Sequence, residues 1–333
     1  MKFGPVPVAE AVGAIVAHTI RKGPLVLKKG QRVTVEHQAA LASAGVEAII
    51  AARLEADDVG EDDAARRLAG LLAGPHIRLE RAFTGRVNMF AEVAGLALVD
   101  ALAIDRLNDA DEAMTVATLA PYHPVAPGDM AATVKIIPFA VSGEALRCAI
   151  AKAGAAAVSV APFRPMRIGV VSTILAGIKP SVVAKTLRVL EDRLSPAGAR
   201  IGREMRTPHE AGALAKALTP LALESDVVVI FGASAITDRR DVIPAAIESF
   251  GGRIERFGMP VDPGNLLLLA ARGGTPILGA PGCARSPKEN GFDWVLQRLI
   301  AGVPISGSDI RAMGVGGLLM EIASRPQPRQ PRD

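Results

Sequence analysis

Apolar positions along the chain fall into two textures. From about Arg167 to Ile305, short apolar runs alternate with amphipathic stretches: MRIGVVST, PSVVAKTLRVLEDRLSPAG, ARIGREMRT, PHEAGALAKALTPLALES, DVVVIFGAS, DVIPAAIESFGG, RIERFGMPV, LLLLA, TPILGAPG and DWVLQRLIAG. Runs such as Val227 to Ile230, apolar at every position, mark strands buried on both faces, and the intervening segments carry a helical stripe. Strands alternating with helices predict an α/β fold of three layers, α/β/α, with a mostly parallel sheet.

The first half mixes helices and strands at shorter intervals, an α+β region over residues 1–163. The segment Val8 to Ile20 reads as a helix. Next come a strand, a turn at Gly30, a helix capped by Thr34 with His37 at the capping-box position, a stop at Gly45 and a buried strand. GEDDAARRLAGLLAG has acidic residues in its first turn and Gly74-Pro75 after its last, as a helix dipole favours. Further elements follow: a helix LVDALAIDRLNDAD, a strand MTVATLA, a turn at Pro127-Gly128-Asp129 in a hairpin or broad connection, a strand MAATVKIIPFAV and a helix GEALRCAIAKAG. The prolines at 162 and 165 mark a boundary, giving domains at 1–163 and 164–305, with 306–333 as an extension whose end, RPQPRQPRD, reads as linker.

Composition narrows the function classes. Half of the 333 residues are hydrophobic but only 3% are aromatic, so aliphatic side chains fill the cores. A net charge of +4, from 38 basic and 34 acidic residues scattered along the chain, favours small anions. Nucleic-acid binding is not expected without stacking aromatics. Cys148 and Cys283 belong to no zinc-binding pattern, and the five histidines have no metal spacing. Prolines, Glu10 and His18 interrupt the N-terminal apolar residues, and no run reaches the roughly 20 residues of a membrane span, so a cytoplasmic protein without membrane attachment is expected.

Candidate chemistry lies in four loops after strands: Ser172 to Pro180, Gly232 to Pro244, Asp262 to Asn265, and Gly279 to Asn290. Gly232 to Pro244 follows the strongest strand and opens a helix near Asp241, an arrangement that aims backbone N–H groups at an anion. Ser234 and Thr237 add hydroxyls, and Arg239 and Arg240 add charge. Asp241 has two readings, a cap for that helix or a ligand to a metal ion. The helix start after Asn290 is a second place for an anion, and Cys283 reads as a small buried apolar residue rather than a nucleophile.

The order of these motifs resembles the molybdenum cofactor biosynthesis domain of molybdopterin adenylyltransferases, molybdopterin molybdotransferases and gephyrin. Gly232, Ser234, Thr237 and Asp241 are similar to that family's glycine-rich loop and its following Asp. Asp262-Pro263-Gly264-Asn265 stands where the family has Pro-Gly-Lys-Pro, and Gly279, Pro281 and Gly282 match its GLPGNP loop. LKKGQRVTVEHQAALASAGVEAI resembles the N-terminal unit of molybdotransferases, the closer branch, and IRAMGVGGLLMEIASRPQPR resembles proteins in which a nucleotidyltransferase domain follows. The resemblance implies a homodimer and a site for molybdopterin or its adenylylated form. It assigns binding to Ser172, Thr173, Gly232, Ala233, Ser234, Thr237, Asp238, Asp262, Pro263, Gly264, Asn265, Pro281, Gly282 and Ser286. Asp241 is the implied catalytic residue and ligand to Mg²⁺. The chain also departs from the family: its glycine pair is Gly232-Ala233, its second glycine becomes Ala235 or Thr237, Ser172-Thr173-Ile174-Leu175 replaces an acidic GDEL segment, and Asn265 replaces a lysine. These changes remove a carboxylate for Mg²⁺ or molybdate and a cation for phosphate, and so favour binding or delivery of molybdopterin over Mg²⁺-dependent nucleotidyl or molybdate transfer. A non-catalytic module of a longer protein, with a fused or partner nucleotidyltransferase, is the third reading.

Overall fold

A computed structural model describes residues 1–319. The chain divides into two units, Met1–Ala161 and Pro162 onward, two residues before the boundary expected from the prolines.

In the first unit, Lys2–Pro7, Ala48–Arg53 and Ile15–Val16 form an antiparallel sheet over which Val35–Ser43 packs, burying Val6, Val16, Leu41 and Ile49. Thr34 caps that helix as the sequence predicts: its hydroxyl accepts from His37 N at 3.3 Å, and His37 Nδ1 accepts from Thr34 N at 3.2 Å. The helix expected over Val8 to Ile20 does not form. Only a 3₁₀ turn, Val8–Glu10, is present, followed by Gly13 at φ +85°. Val8, Ala11 and Ala14 are all buried, which is why their spacing imitates a helical stripe. The backbone instead pairs with a distant segment, Gly13 N donating to Val33 O at 2.8 Å and Val33 N to Ala14 O at 2.8 Å.

A second antiparallel sheet has the order Met114–Thr118, Met130–Ile136, Arg86–Ala91, Ile77–Leu79. Glu61–Leu72 lays Ala64, Ala65, Leu68 and Leu72 on it. Asp100 starts the next helix at Ala101, accepting from Ala103 N at 3.0 Å, so the residues before it that were expected to be helical stay in the strand Gly95–Val99. The strand expected over residues 130–141 breaks at Pro138, and Ala140–Ser142 pairs with Asp58–Gly60 instead.

The second unit is built on a six-stranded sheet in the order Arg200–Pro208, Arg167–Ile174, Val227–Phe231, Thr275–Ala280, Leu268–Arg272, Arg253–Phe257. The first four strands are mutually parallel, and Leu268–Arg272 is antiparallel to both its neighbours, so the sheet is mostly parallel. Val227, Val229 and Phe231 face one layer with Leu190, Leu194, Phe292 and Leu296, from helices Pro180–Leu194 and Gly291–Ile300. Val228 and Ile230 face the other with Leu214, Leu218, Ile243 and Ile247, from Ala211–Glu224 and Val242–Ser249. The every-position apolar run of this strand thus reflects a sheet covered on both faces, and the three-layer α/β/α architecture follows.

Residues 306–319, expected to begin an extension, belong to this unit. Ser306 caps the helix Gly307–Ala312, Ile310 and Met313 enter the core, and Gly317 O accepts from Asp262 N at 2.8 Å. The linker-like RPQPRQPRD lies outside the described residues.

Phe292 is fully buried, its ring 6.4 Å from that of Phe231. Phe292→Ala is expected to destabilise this unit by about 3–5 kcal/mol, the usual consequence of emptying a buried aromatic site. Denaturant titration followed by the fluorescence of Trp294, the single tryptophan, checks this, and an unshifted midpoint counts against the packing described.

Candidate functional site

Strand order places the site. From Arg167–Ile174 the chain crosses to Arg200–Pro208 on one side and then returns to Val227–Phe231 on the other. At such a reversal the loops leaving the two central strands turn apart and leave a crevice at their carboxyl ends. A cavity of about 490 Å³ lies there, within the range of small-molecule sites.

Its floor comes from the end of Arg167–Ile174. Ser172 is 3% exposed, and its Oγ has no hydrogen-bond partner among the described residues. Thr173 Oγ1 accepts from Ala233 N at 2.8 Å and lies 2.8 Å from Nδ1 of His209, tying the adjacent loop to the strand. Gly232 turns that loop. A Cβ there would stand 2.7 Å from Ser234 O and 2.8 Å from Ile243 Cδ1, so only glycine fits.

Two cations meet the cavity. Lys179 is exposed at the start of Pro180–Leu194, with Val182 and Val183 from the first turns as apolar wall. Arg285 donates from Nη2 to Gly232 O at 2.7 Å and from Nη1 to Thr186 Oγ1 at 3.0 Å, with its guanidinium 5.4 Å from the centre of the Phe231 ring. Burial pushes the Arg285 pKa down from its ordinary value, yet a guanidinium stays charged in proteins. Among the described residues no carboxylate pairs with Arg285, and the lining contains neither Asp nor Glu. A cavity with two cations and hydroxyls, and no carboxylate in its lining, favours an anion.

Arg193 holds the loop that carries Arg285. Its Nε donates to Asp293 Oδ1 at 2.5 Å, Nη1 to Ala284 O at 2.9 Å and Nη2 to Ser286 O at 2.6 Å. Neither Arg193, Arg285, Lys179 nor His209 stands out in the sequence. Arg193 reads as one polar position of an amphipathic helix, and Arg285 lies among loop residues chosen for Gly and Pro.

Of the residues expected at the site, Ser172, Thr173, Gly232, Ala233, Ser234 and Gly282 line the cavity. Others do not. Asp241 caps Val242–Ser249, its Oδ1 accepting from Val242 N at 2.7 Å and its Oδ2 from Thr237 N at 3.2 Å. The helix start that the sequence offered to an anion is therefore filled by the protein's own carboxylate. Asp238 pairs at the surface with Arg240 at 2.8 Å, and hydrogen bonds from Arg240 lower its pKa.

Asp262 and Pro263, joined by a cis peptide bond, are held by packing: Asp262 N donates to Gly317 O, and Pro263 O accepts from Gly291 N at 2.8 Å. Gly264 sits where a Cβ would approach Gly291 Cα to 2.9 Å, and Asn265 Nδ2 donates to Met259 O at 3.4 Å. Pro281 is buried, and Ser286 is bound by Arg193. Asn290 is 1% exposed and caps Gly291–Ile300 through Phe292 N at 3.1 Å, so that helix start is also closed to an anion. Burial raises the Cys283 thiol pKa, in keeping with the apolar role expected of it.

The residues do not fit a protein-held Mg²⁺. The cavity lining has no carboxylate, both oxygens of Asp241 take backbone N–H groups, and the described residues contain no group of three or more His, Cys, Asp or Glu arranged for a metal. Nor is any described helix long and apolar enough to cross a membrane.

Comparison with known proteins gives these findings. Residues 5–53 match a domain of unknown function, DUF8806. No curated protein matches the chain. Among solved structures, the molybdopterin biosynthesis moeA protein of Pyrococcus horikoshii is 14% identical, covering 91% of this chain and 76% of its own, with a TM-score of 0.32. A molybdenum cofactor biosynthesis protein of Pyrococcus furiosus is 10% identical over 91% of this chain and 64% of its own, with a TM-score of 0.27. The molybdopterin biosynthesis enzyme MoaB of Thermus thermophilus is 16% identical over 42% of this chain and 98% of its own, with a TM-score of 0.30.

Thr173→Val keeps the side-chain shape but leaves the Ala233 N–H without its acceptor. A fully buried unsatisfied donor costs about 1–3 kcal/mol, and this one is partly buried, so a loss of stability of about 1 kcal/mol is expected in calorimetric unfolding. Wild-type stability in this variant would mean that Thr173 does not hold the Gly232 loop.

Proposed function

We propose that the chain binds a phosphate-bearing pterin of the molybdopterin type in the cavity between Ser172-Thr173 and Gly232 to Ser234, and acts in the making or delivery of the molybdenum cofactor. The observation that carries this reading is the union of a half-buried Arg285 without a carboxylate partner among the described residues, the unpartnered Ser172 hydroxyl and the exposed Lys179 in one crevice. Arg285, Lys179, Ser172 and Ser234 receive the phosphate, while Ile178, Val182 and Val183 give the ring an apolar wall. The order of glycine-rich motifs, similar to molybdenum cofactor biosynthesis domains, supplies the pterin. Asp241 serves this site by shaping the loop from which Gly232 to Ala235 reach the cavity. Binding and hand-over suit such a lining better than Mg²⁺-dependent transfer, for which it has no carboxylate.

Anaerobic titration calorimetry with molybdopterin is expected to give saturable heat. Arg285→Ala is expected to weaken binding by about tenfold or more, Arg285→Lys by less, and exposed Lys179→Ala to weaken it without disturbing the fold. Absence of heat with the wild-type protein, or unchanged affinity in both alanine variants, would contradict the proposal.

A further inference from the structure

The first unit holds a cavity of its own, of about 620 Å³. Phe3 and Phe139 give it aromatic walls, and His18, Lys29, Lys135 and Glu61 give it charge. Phe3 is 60% exposed, an aromatic ring left open to solvent at this site. Glu61 opens the helix Glu61–Leu72, and its backbone N donates to Phe139 O at 2.9 Å, which ties the helix start to the segment that carries Phe139.

The Glu61 side chain is only 23% exposed, yet its carboxylate accepts no hydrogen bond among the described residues. Lys135 Nζ stands 3.9 Å away and donates instead to Thr84 O. Gly85 brings its backbone against the carboxyl, where a Cβ would lie 2.6 Å from Glu61 Oε2. Burial raises the Glu61 pKa, while Lys135 and Lys29 oppose the rise. A half-buried carboxylate that accepts no hydrogen bond among the described residues, and whose paired lysine stands 3.9 Å away, has acceptor capacity open to donors from a ligand.

We propose that this cavity binds a planar nitrogen heterocycle that presents two adjacent N–H donors to Glu61 and carries an anionic group facing the lysines, the chemistry of a guanine nucleotide. Guanine N1–H and its exocyclic amino group form parallel hydrogen bonds to a carboxylate. Adenine offers an acceptor nitrogen beside its amino group and would meet Glu61 with like polarity. The ring lies against Phe3 and Phe139, and the phosphate meets Lys29 and His18 at the exposed side of the cavity. Pterins share the guanine edge, so guanine and pterin compounds are two sources of one chemistry.

Titration calorimetry on the full chain with GMP, guanosine, AMP and pterin-6-carboxylate tests the assignment. GMP or the pterin is expected to bind at least about tenfold more tightly than AMP, and the tighter of the two names the source. Glu61→Gln should remove that preference, and exposed Lys29→Ala should weaken GMP while leaving guanosine unchanged. Arg285→Ala, which acts on the other unit's cavity, should leave binding here intact, so failure of either proposal is seen separately. Equal binding of AMP and GMP, no binding of any compound at about 1 mM, or wild-type preference in Glu61→Gln with GMP unchanged in Lys29→Ala, overturns the proposal.

Discussion

The crevice in the second unit depends on a reversal of strand order about Arg167–Ile174. Because this strand has Arg200–Pro208 on one side and Val227–Phe231 on the other, the chain leaves it in one direction and returns from the opposite one. Its carboxyl end is left open, and Ser172 and Thr173 become the floor of a cavity instead of the root of a packed loop. The surrounding structure adapts to that opening: Gly232 turns where a side chain would collide with Ile243, and Arg285 reaches back to Gly232 O to close the rim.

Charge in that cavity is set by which carboxylates are already committed. Asp241 is used by backbone amides, and Asp293 is used by Arg193, which leaves Arg285 and Lys179 at the cavity without a carboxylate in its lining. Arg193 and Asp293 are each about one-tenth exposed, and a pair so enclosed fixes geometry more than it adds stability. Their effect is to hold the Gly282 to Asn290 loop so that Arg285 projects into the crevice. The site is therefore a product of the contacts behind it as much as of the residues that meet a ligand.

The α/β architecture was legible because burial on both faces writes itself as uninterrupted apolar runs, as in Val227–Phe231. Thr34, Asp241 and Gly45 were legible because capping depends on the local chain alone. Two kinds of feature were not. The segment after Val8 carried helical spacing but was claimed by pairing with residues 31–33, a tertiary event with no local signature. Arg193 and Arg285 acquire their roles through partners about 50 to 100 residues distant, and no window of sequence contains both ends. Asp262 to Asn265, a loop rich in Pro and Gly that reads in sequence as a ligand cradle, lies outside the cavity lining and packs against Gly291.

The second unit is thus a scaffold whose open strand end places one buried hydroxyl and an arginine at the same cavity, and the proposed occupant is an anion. A crystal structure of the chain grown with molybdopterin tests this most directly. The phosphate is expected within hydrogen-bond distance of Arg285 and the Ser172 hydroxyl, with the ring beside Val182 and Val183. Density for the ligand at the Asp262 to Asn265 loop, with an empty crevice at Ser172, would contradict it.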